Sequence, residues 1–313
     1  MYYWSMKSST PITIALIYFT SVHFLNKIIT KKQIARYNKE NKTTVTEPPA
    51  GVRMKAVPLS ISTTFGFKLF VLLHNAFLCI YSVWTFISMT SYFAKSINMF
   101  TLQYFPSFIS DFSLLVDKPS KFDGFIHSVC NEKIGAFSRF ITEPGYHNLE
   151  ILGYWFYISK FYEVIDTIII LMKGRPSSLL QSYHHAGAMM CMWSGIRFRA
   201  PPIWIFVVFN SFIHSLMYFY FTLSCLKIKV PVLFKKTLTS LQITQFVVGG
   251  SMALLNAGVK VLESVGDESV KFVSCIRTPD QALSLIINVG YLAPLTALFA
   301  AFYIESYLKK RLL

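Results

Sequence analysis

The chain predicts an all-α integral membrane protein, with seven transmembrane helices enclosing a chamber that opens to the cytosol. Three observations predict it. Of 313 residues, 53% are hydrophobic and only 14% are charged, whereas soluble domains carry about 25% charge. Apolar runs near the length that crosses a bilayer, about 20 residues, recur along the chain. Costly ionisable side chains within those runs cluster at one depth instead of scattering.

In chain order the spans are predicted at 10–29, 66–92, 149–172, 178–197, 201–224, 236–257 and 281–307. The first ends in lysines without a small-residue cleavage site, so it reads as a retained span and not a signal peptide. The segment 101–116 is apolar but carries Pro106 and Asp111, and is expected to be interfacial or loop. Pro201 and Pro202 are placed to start the fifth helix. There is no internal repeat, and the chain is read as one membrane domain, 1–313, whose motifs lie within 60–257.

The net charge of +15 sits largely in short loops between apolar runs, a topology signal and not a nucleic-acid surface. Lys31, Lys32, Arg36, Lys39, Lys42, Arg53 and Lys55 make 30–65 a basic cytosolic loop. Lys173, Arg175, Lys235 and Lys236, and Lys309, Lys310 and Arg311 at the end, also belong in the cytosol. The charge-balanced loop 93–148 and the loop 258–280 then face the lumen, with the N-terminus lumenal and the C-terminus cytosolic; Arg197 and Arg199 alone break the pattern. Of five cysteines, none forms a C-x-x-C pair, and Cys130 and Cys275 fall in the two lumenal loops, where they are expected to form a disulfide.

The polar layer spans six helices. His184 and His185 lie roughly 10 Å inside the cytosolic end of the fourth span, at a rise of about 1.5 Å per residue. Asp166 is at that depth in the third, with Glu163 and Lys160 one and two turns deeper. His74 and Asn75, His214, Gln242 and Gln245, and His23 and Asn26 of the first span sit in the same half. Lys160, Glu163 and Asp166 step by three, as do Gln242 and Gln245, so each set shares a face. His23, and each glutamine alone, reads more simply as a helix-bridging hydrogen bonder. The whole layer describes a chamber, polar at its cytosolic mouth and apolar beyond.

Paired histidines raise a di-iron site, but no H-x-x-x-H pair exists among seven histidines; a mononuclear site of His184, His214 and Asp166 stays open. The alternative is imidazole used directly, as general base or as nucleophile forming an acyl-imidazole. Lys173, Arg175, Lys235 and Lys236 ring the mouth and could hold a phosphate-bearing headgroup. A fatty acyl chain on a phosphorylated carrier fits such a chamber.

The motifs resemble those of the ELO family of very-long-chain fatty acid elongases. The stretch 160-KFYEVIDT-167 is similar to that family's K-x-x-E-x-x-D-T, 181-QSYHH-185 to its histidine box H-x-x-H-H, 210-NSFIHSLMYFYF-221 to N-x-x-x-H-x-x-M-Y-x-Y-[YF], and 239-TSLQITQ-245 to T-x-x-Q-x-x-Q; the pair 74-HN-75 resembles the polar site of the second span. The resemblance implies a seven-helix enzyme of the endoplasmic reticulum membrane that condenses malonyl-CoA with an acyl-CoA, giving 3-oxoacyl-CoA, CO2 and CoA without metal or organic cofactor. It implies His184 as nucleophile, His214 as base, His185 as orienting or oxyanion donor, and Asp166 and Glu163 as holders of imidazole tautomers. Lys160 would neutralise Glu163; Gln242, Gln245, Asn210 and Asn75 would be supporting hydrogen bonders, His74 would contribute to substrate binding at the polar site of the second span, and Tyr218 would be a source of a phenolic proton. The implied partners are the bilayer and the reductases and dehydratase of the elongation cycle, with a homodimer left open and no nucleic acid. One departure is Gln181, where the box has histidine; glutamine cannot act as acid, base or nucleophile, so there it would hydrogen-bond only. The terminal KKRLL resembles a dilysine retrieval signal.

Overall fold

In the computed structural model of the chain, residues 1–49, 51–102, 121–130, 149–264 and 270–308 are described. Long apolar stretches become long helices because, in a bilayer, only intra-segment hydrogen bonding satisfies the backbone. The helices are α1 Tyr2–Ser5, α2 Ser9–Asn41, α3 Ser60–Thr63, α4 Phe65–Leu102, α5 Lys121–Cys130, α6 Leu149–Tyr162, α7 Val164–Met172, α8 Leu179–Arg197, α9 Ile203–Cys225, α10 Val232–Leu255 and α11 Pro279–Tyr303. A π-helical turn, Ile304–Leu308, continues the last. Among the described residues, five helices are long and apolar enough to cross a membrane: α2, α4, α9, α10 and α11 with its continuation.

Helix ends follow local chemistry. Pro202 precedes α9 and Pro231 precedes α10, supplying the restricted φ that suits a helix start. Ser178 and Thr278 cap α8 and α11, their hydroxyls accepting from the backbone N–H of Gln181 and Gln281.

Six segments close a ring through successive packing contacts: α4, α6, α8, α11, α10, α9 and back to α4. The first long helix, α2, packs outside the ring on α7 and α8. The outer surface is apolar: Leu73, Ile80 and Ile87, seven apart on α4, are all exposed, as are Leu283 and Ile286 on α11. Exposed apolar surface this extensive marks a membrane-facing wall. The N-terminal residues seal one end. Trp193 Nε1 donates to the Met6 carbonyl at 3.0 Å and Tyr157 donates to the Ser5 carbonyl at 2.8 Å.

Three expectations are corrected. The 149–172 span is interrupted at Glu163, where Asp166 N reaches back three residues to the Glu163 carbonyl at 3.1 Å, a tighter turn than an α-helix. The 30–65 loop is shorter than expected, because α2 runs to Asn41 and ends with Lys42 at φ 53°. The 93–148 loop contains the end of α4 and all of α5; the apolar segment 101–116 lies almost wholly outside the described residues, as do residues 309–313. The helical fold class stands, with one local addition: 258–280 holds an antiparallel pair, β1 Lys260–Ser264 and β2 Val270–Ser274, in register Lys260 to Ser274. Alternation of Val261 and Val273 on one face is a strand pattern too short to stand out beside 20-residue runs. Cys275, just past β2, is disulfide-bonded to Cys130 at the end of α5.

Candidate active site

The α6–α7 segment supplies the charged centre. Lys160 at the end of α6 donates to Glu163 Oε1 at 2.7 Å and to Asn210 Oδ1 of α9 at 2.9 Å, with Nζ 4.0 Å from the Phe156 ring centroid. Both Lys160 and Glu163 are 3% exposed. A buried ion pair of this kind persists only because each charge has its partner. The second carboxylate oxygen, Glu163 Oε2, is buried without a hydrogen-bond partner and lies 3.8 Å from His214 Nδ1.

Helix α8 supplies the paired rings. Neighbouring residues on a helix point roughly 100° apart, so His184 and His185 meet different surroundings. His185 is buried, and Gln181 one turn earlier donates from Nε2 to its Nε2 at 2.8 Å. His184 lines a cavity, and its Nδ1 lies 2.9 Å from the Tyr291 hydroxyl of α11. The ring centroids of His184 lie 5.4 Å from His185 and 6.2 Å from His214. Three imidazoles from α8 and α9 thus converge beside the Lys160–Glu163 pair.

Asp166 belongs to a neighbouring cluster. Its Oδ1 lies 2.8 Å from His74 Nε2, and its Oδ2 accepts from Tyr218 at 2.6 Å. His74 Nδ1 lies 3.2 Å from the Tyr162 hydroxyl. Asp166 therefore holds His74 and not the nucleophile candidate, and the set His184, His214 and Asp166 is not assembled; among the described residues no His, Cys, Asp and Glu cluster could hold a metal. The Tyr218 ring, 5.6 Å from His214, bridges the two clusters.

The cavity runs from His184 toward the end sealed by the N-terminus. Its volume is about 50 Å³; Lys160, Asn210 and Gln245 line its polar part, and Ala188, Cys191, Met192, Phe246 and Leu292 its apolar part. Gln245 Oε1 is buried without a partner. Several candidates stand outside this centre. Asn75 donates to the Val71 carbonyl at 2.7 Å and touches Cys225 Sγ at 3.6 Å, tying α4 to α9. Gln242 Nε2 faces Met217 Sδ at 3.8 Å. His23 lies 3.5 Å from Ser182 Oγ, and Asn26 exchanges two hydrogen bonds with the Ser177 backbone, both 2.8 Å, so these two serve helix packing. Lys173 and Arg175 are exposed. Lys235 and Lys236 lie over the Tyr220 and Tyr303 rings, at 5.4 and 5.9 Å. Tyr291 is the site residue that sequence reading missed. It sits within the long apolar run 281–307, where a tyrosine does not stand out as an ionisable group does, although Asn288 one turn earlier shares its helical face.

A family model described as "ELO: GNS1/SUR4 family" matches residues 3–312. The chain is similar to fatty acid elongase sre1 of Dictyostelium discoideum, 32% identical over 152 residues, 47% of this chain and 56% of that one. It is similar to long chain fatty acid elongase 1 of Caenorhabditis elegans, 32% identical over 158 residues, 50% of this chain and 51% of that one. It is also similar to very long chain fatty acid elongase 3 of Mus musculus, 34% identical over 109 residues, 34% of this chain and 40% of that one. The chain thus matches roughly half the length of these curated relatives. No solved structure matches it.

Proposed function

The chain belongs to the ELO family, and from that premise we propose that it is a fatty acid elongase of the 3-oxoacyl-CoA synthase type, condensing malonyl-CoA with a long-chain acyl-CoA. The observation that carries the reading is His184, an imidazole where the polar centre meets the apolar cavity, with a second imidazole, His214, 6.2 Å away between centroids. In the proposed sequence His184 attacks the acyl thioester, the C–N bond forms, the C–S bond breaks and CoA leaves as thiolate. Malonyl-CoA then loses CO2, and the electron pair left on its Cα attacks the acyl carbon. The C–N bond breaks, His184 recovers its electron pair, and the thiolate takes a proton from solvent. Decarboxylation supplies the carbanion, so the reaction calls for no metal or organic cofactor.

The roles follow from position. His214, held near Glu163, assists decarboxylation as base or donor. Asn210 accepts from Lys160 through Oδ1 and keeps its amide NH2 to donate to a thioester oxygen. Gln245, whose Oε1 is buried without a partner at the cavity wall, would turn its amide NH2 to donate to the incoming acyl thioester. The protein is a multi-pass membrane protein; we place it in the endoplasmic reticulum with seven spans, the N-terminus lumenal and the C-terminus cytosolic, handing its product to the reductases and dehydratase of an elongation cycle. Five helices meet the span criteria outright. The other two spans would be the interrupted α6–α7 and α8, whose imidazoles, glycines and serines dilute its hydropathy.

The test is direct. Purified protein in detergent, treated with chelator, is given radiolabelled malonyl-CoA and a panel of acyl-CoAs, with His184→Ala alongside. Labelled 3-oxoacyl-CoA and CO2 from the wild type, lost in the variant, are the expected result. No product with any chain, or full activity in His184→Ala, overturns the proposal.

A further inference from the structure

We propose that Tyr291 is a positioning residue that fixes the tautomer of His184, keeping the proton on Nδ1 and the lone pair on Nε2. The inference rests on His184 being the nucleophile. The Tyr291 hydroxyl makes two contacts with the same histidine, 2.9 Å to its backbone carbonyl and 2.9 Å to its Nδ1. The carbonyl can only accept, so the single phenolic proton goes to it. Toward Nδ1 the phenol then offers only a lone pair, and Nδ1 must carry the hydrogen. With the opposite assignment, phenol and carbonyl oxygens would face each other at 2.9 Å with no proton between them. Only one proton arrangement makes both contacts attractive, and which imidazole nitrogen is nucleophilic is set by the bond the other nitrogen makes.

The tyrosine is itself clamped to the helix that carries His184. Its ring stacks on Tyr183, centroids 5.5 Å apart and planes at 24°, and Tyr183 donates to the Tyr291 carbonyl at 3.3 Å. Gly187, one turn along α8, makes the room: a Cβ there would overlap the Tyr291 ring. Tyr183, His184 and Gly187 thus form one seat on α8 for a single side chain of α11. When Nε2 takes the acyl group, the ring becomes an acyl-imidazolium whose Nδ1–H still donates to the phenol oxygen, so the same contact stabilises the charge that develops.

The experiment is a single turnover of the purified enzyme with acyl-CoA alone, following released CoA thiol and the acyl mass gained by the protein. Tyr291→Phe keeps the ring and its stacking but removes the hydroxyl. The expected result is acylation slowed by about tenfold or more, with acyl-CoA KM and the thermal midpoint close to wild type. Tyr183→Phe, which keeps the stack but loses the bond to the Tyr291 carbonyl, should slow acylation clearly less than Tyr291→Phe does. A wild-type burst that Tyr291→Phe leaves at full rate overturns the inference while the nucleophile stands. A wild type that acquires no acyl group, or an acyl adduct that persists in His184→Ala, overturns the nucleophile reading beneath it.

Discussion

Lys160 and Glu163 carry opposite charges 2.7 Å apart, each 3% exposed, and neither could stand alone there. Removing one partner of a buried pair costs about 3–5 kcal/mol, because the survivor keeps its desolvation penalty without its attraction, whereas replacing both by apolar groups can be neutral. Lys160→Met and Glu163→Leu should each lower the thermal midpoint in detergent sharply, and the double variant should recover most of the loss while remaining inactive. A double variant as unstable as the sum of the singles would contradict this coupling. Gln181 poses a milder case. Its one side-chain bond, to His185 at 2.8 Å, needs a donor one turn from that ring. Histidine can also donate, and leucine cannot. Gln181→His should therefore keep activity within a few fold, and Gln181→Leu should lose roughly tenfold, measured as 3-oxoacyl-CoA formation at saturating substrate.

At the scale of elements, the connection between α2 and α4 is pinned to the turn between α7 and α8. Gly174, at φ +68°, accepts at its carbonyl from Val57 N at 3.1 Å and from Gln33 Nε2 at 3.0 Å, and any Cβ would run into the Val57 backbone. Gly174→Ala meets both the left-handed penalty, about 1–2 kcal/mol, and a backbone collision, and should lower the thermal midpoint by more than Ala substitution at Gly66, where a Cβ meets open space. At the opposite end the Cys130–Cys275 disulfide joins α5 to the hairpin across 145 residues. Arg277 donates to the Cys130 carbonyl at 2.8 Å. Breaking the bond by the double serine substitution should cost about 2–4 kcal/mol and expose 258–278 to protease, read by limited digestion. Most of these elements were legible in the sequence. Six apolar runs gave helices in place, and Pro201 and Pro202 marked a real helix start. What escaped was set by tertiary contact. The tight turn at Glu163 answers to the Lys160, Asn210 and His214 groups around it, which periodicity cannot see. The hairpin is five residues on each side and held partly by a covalent bond.

Across the whole molecule, the polar half of the ring was legible because burying an ionisable group in an apolar run is costly enough to stand out singly. The apolar half was not, since residues lining a cavity and residues facing lipid have the same composition. Asp166 shows a subtler limit: its depth was readable, but its partner, His74 and not His184, depends on helix rotation. Tyr291 shows the same limit from the other side. The cavity reaches from His184 to Cys191 and Met192, two turns along α8 and roughly 10 Å at the rise of a helix, and its volume of about 50 Å³ holds a few waters and not a long chain. An acyl chain of the proposed substrate must therefore displace lining side chains, and the unbranched Met192 and Gly249 of α10, which has no side chain to move, offer the least resistance. A Cβ at Gly249 would sit 3.2 Å from the Phe209 ring. Enlarging the lining on the far side of the polar centre should thus act as a stop. Cys191→Phe and Gly249→Val are expected to shorten the longest acyl-CoA elongated by at least one cycle while leaving the rate on the shortest accepted chain within about twofold. Product profiles by chain length decide it: a uniform loss across all chains would mean that these side chains support the bundle and do not bound the substrate, and an unchanged profile would mean that the acyl chain leaves the ring by another route.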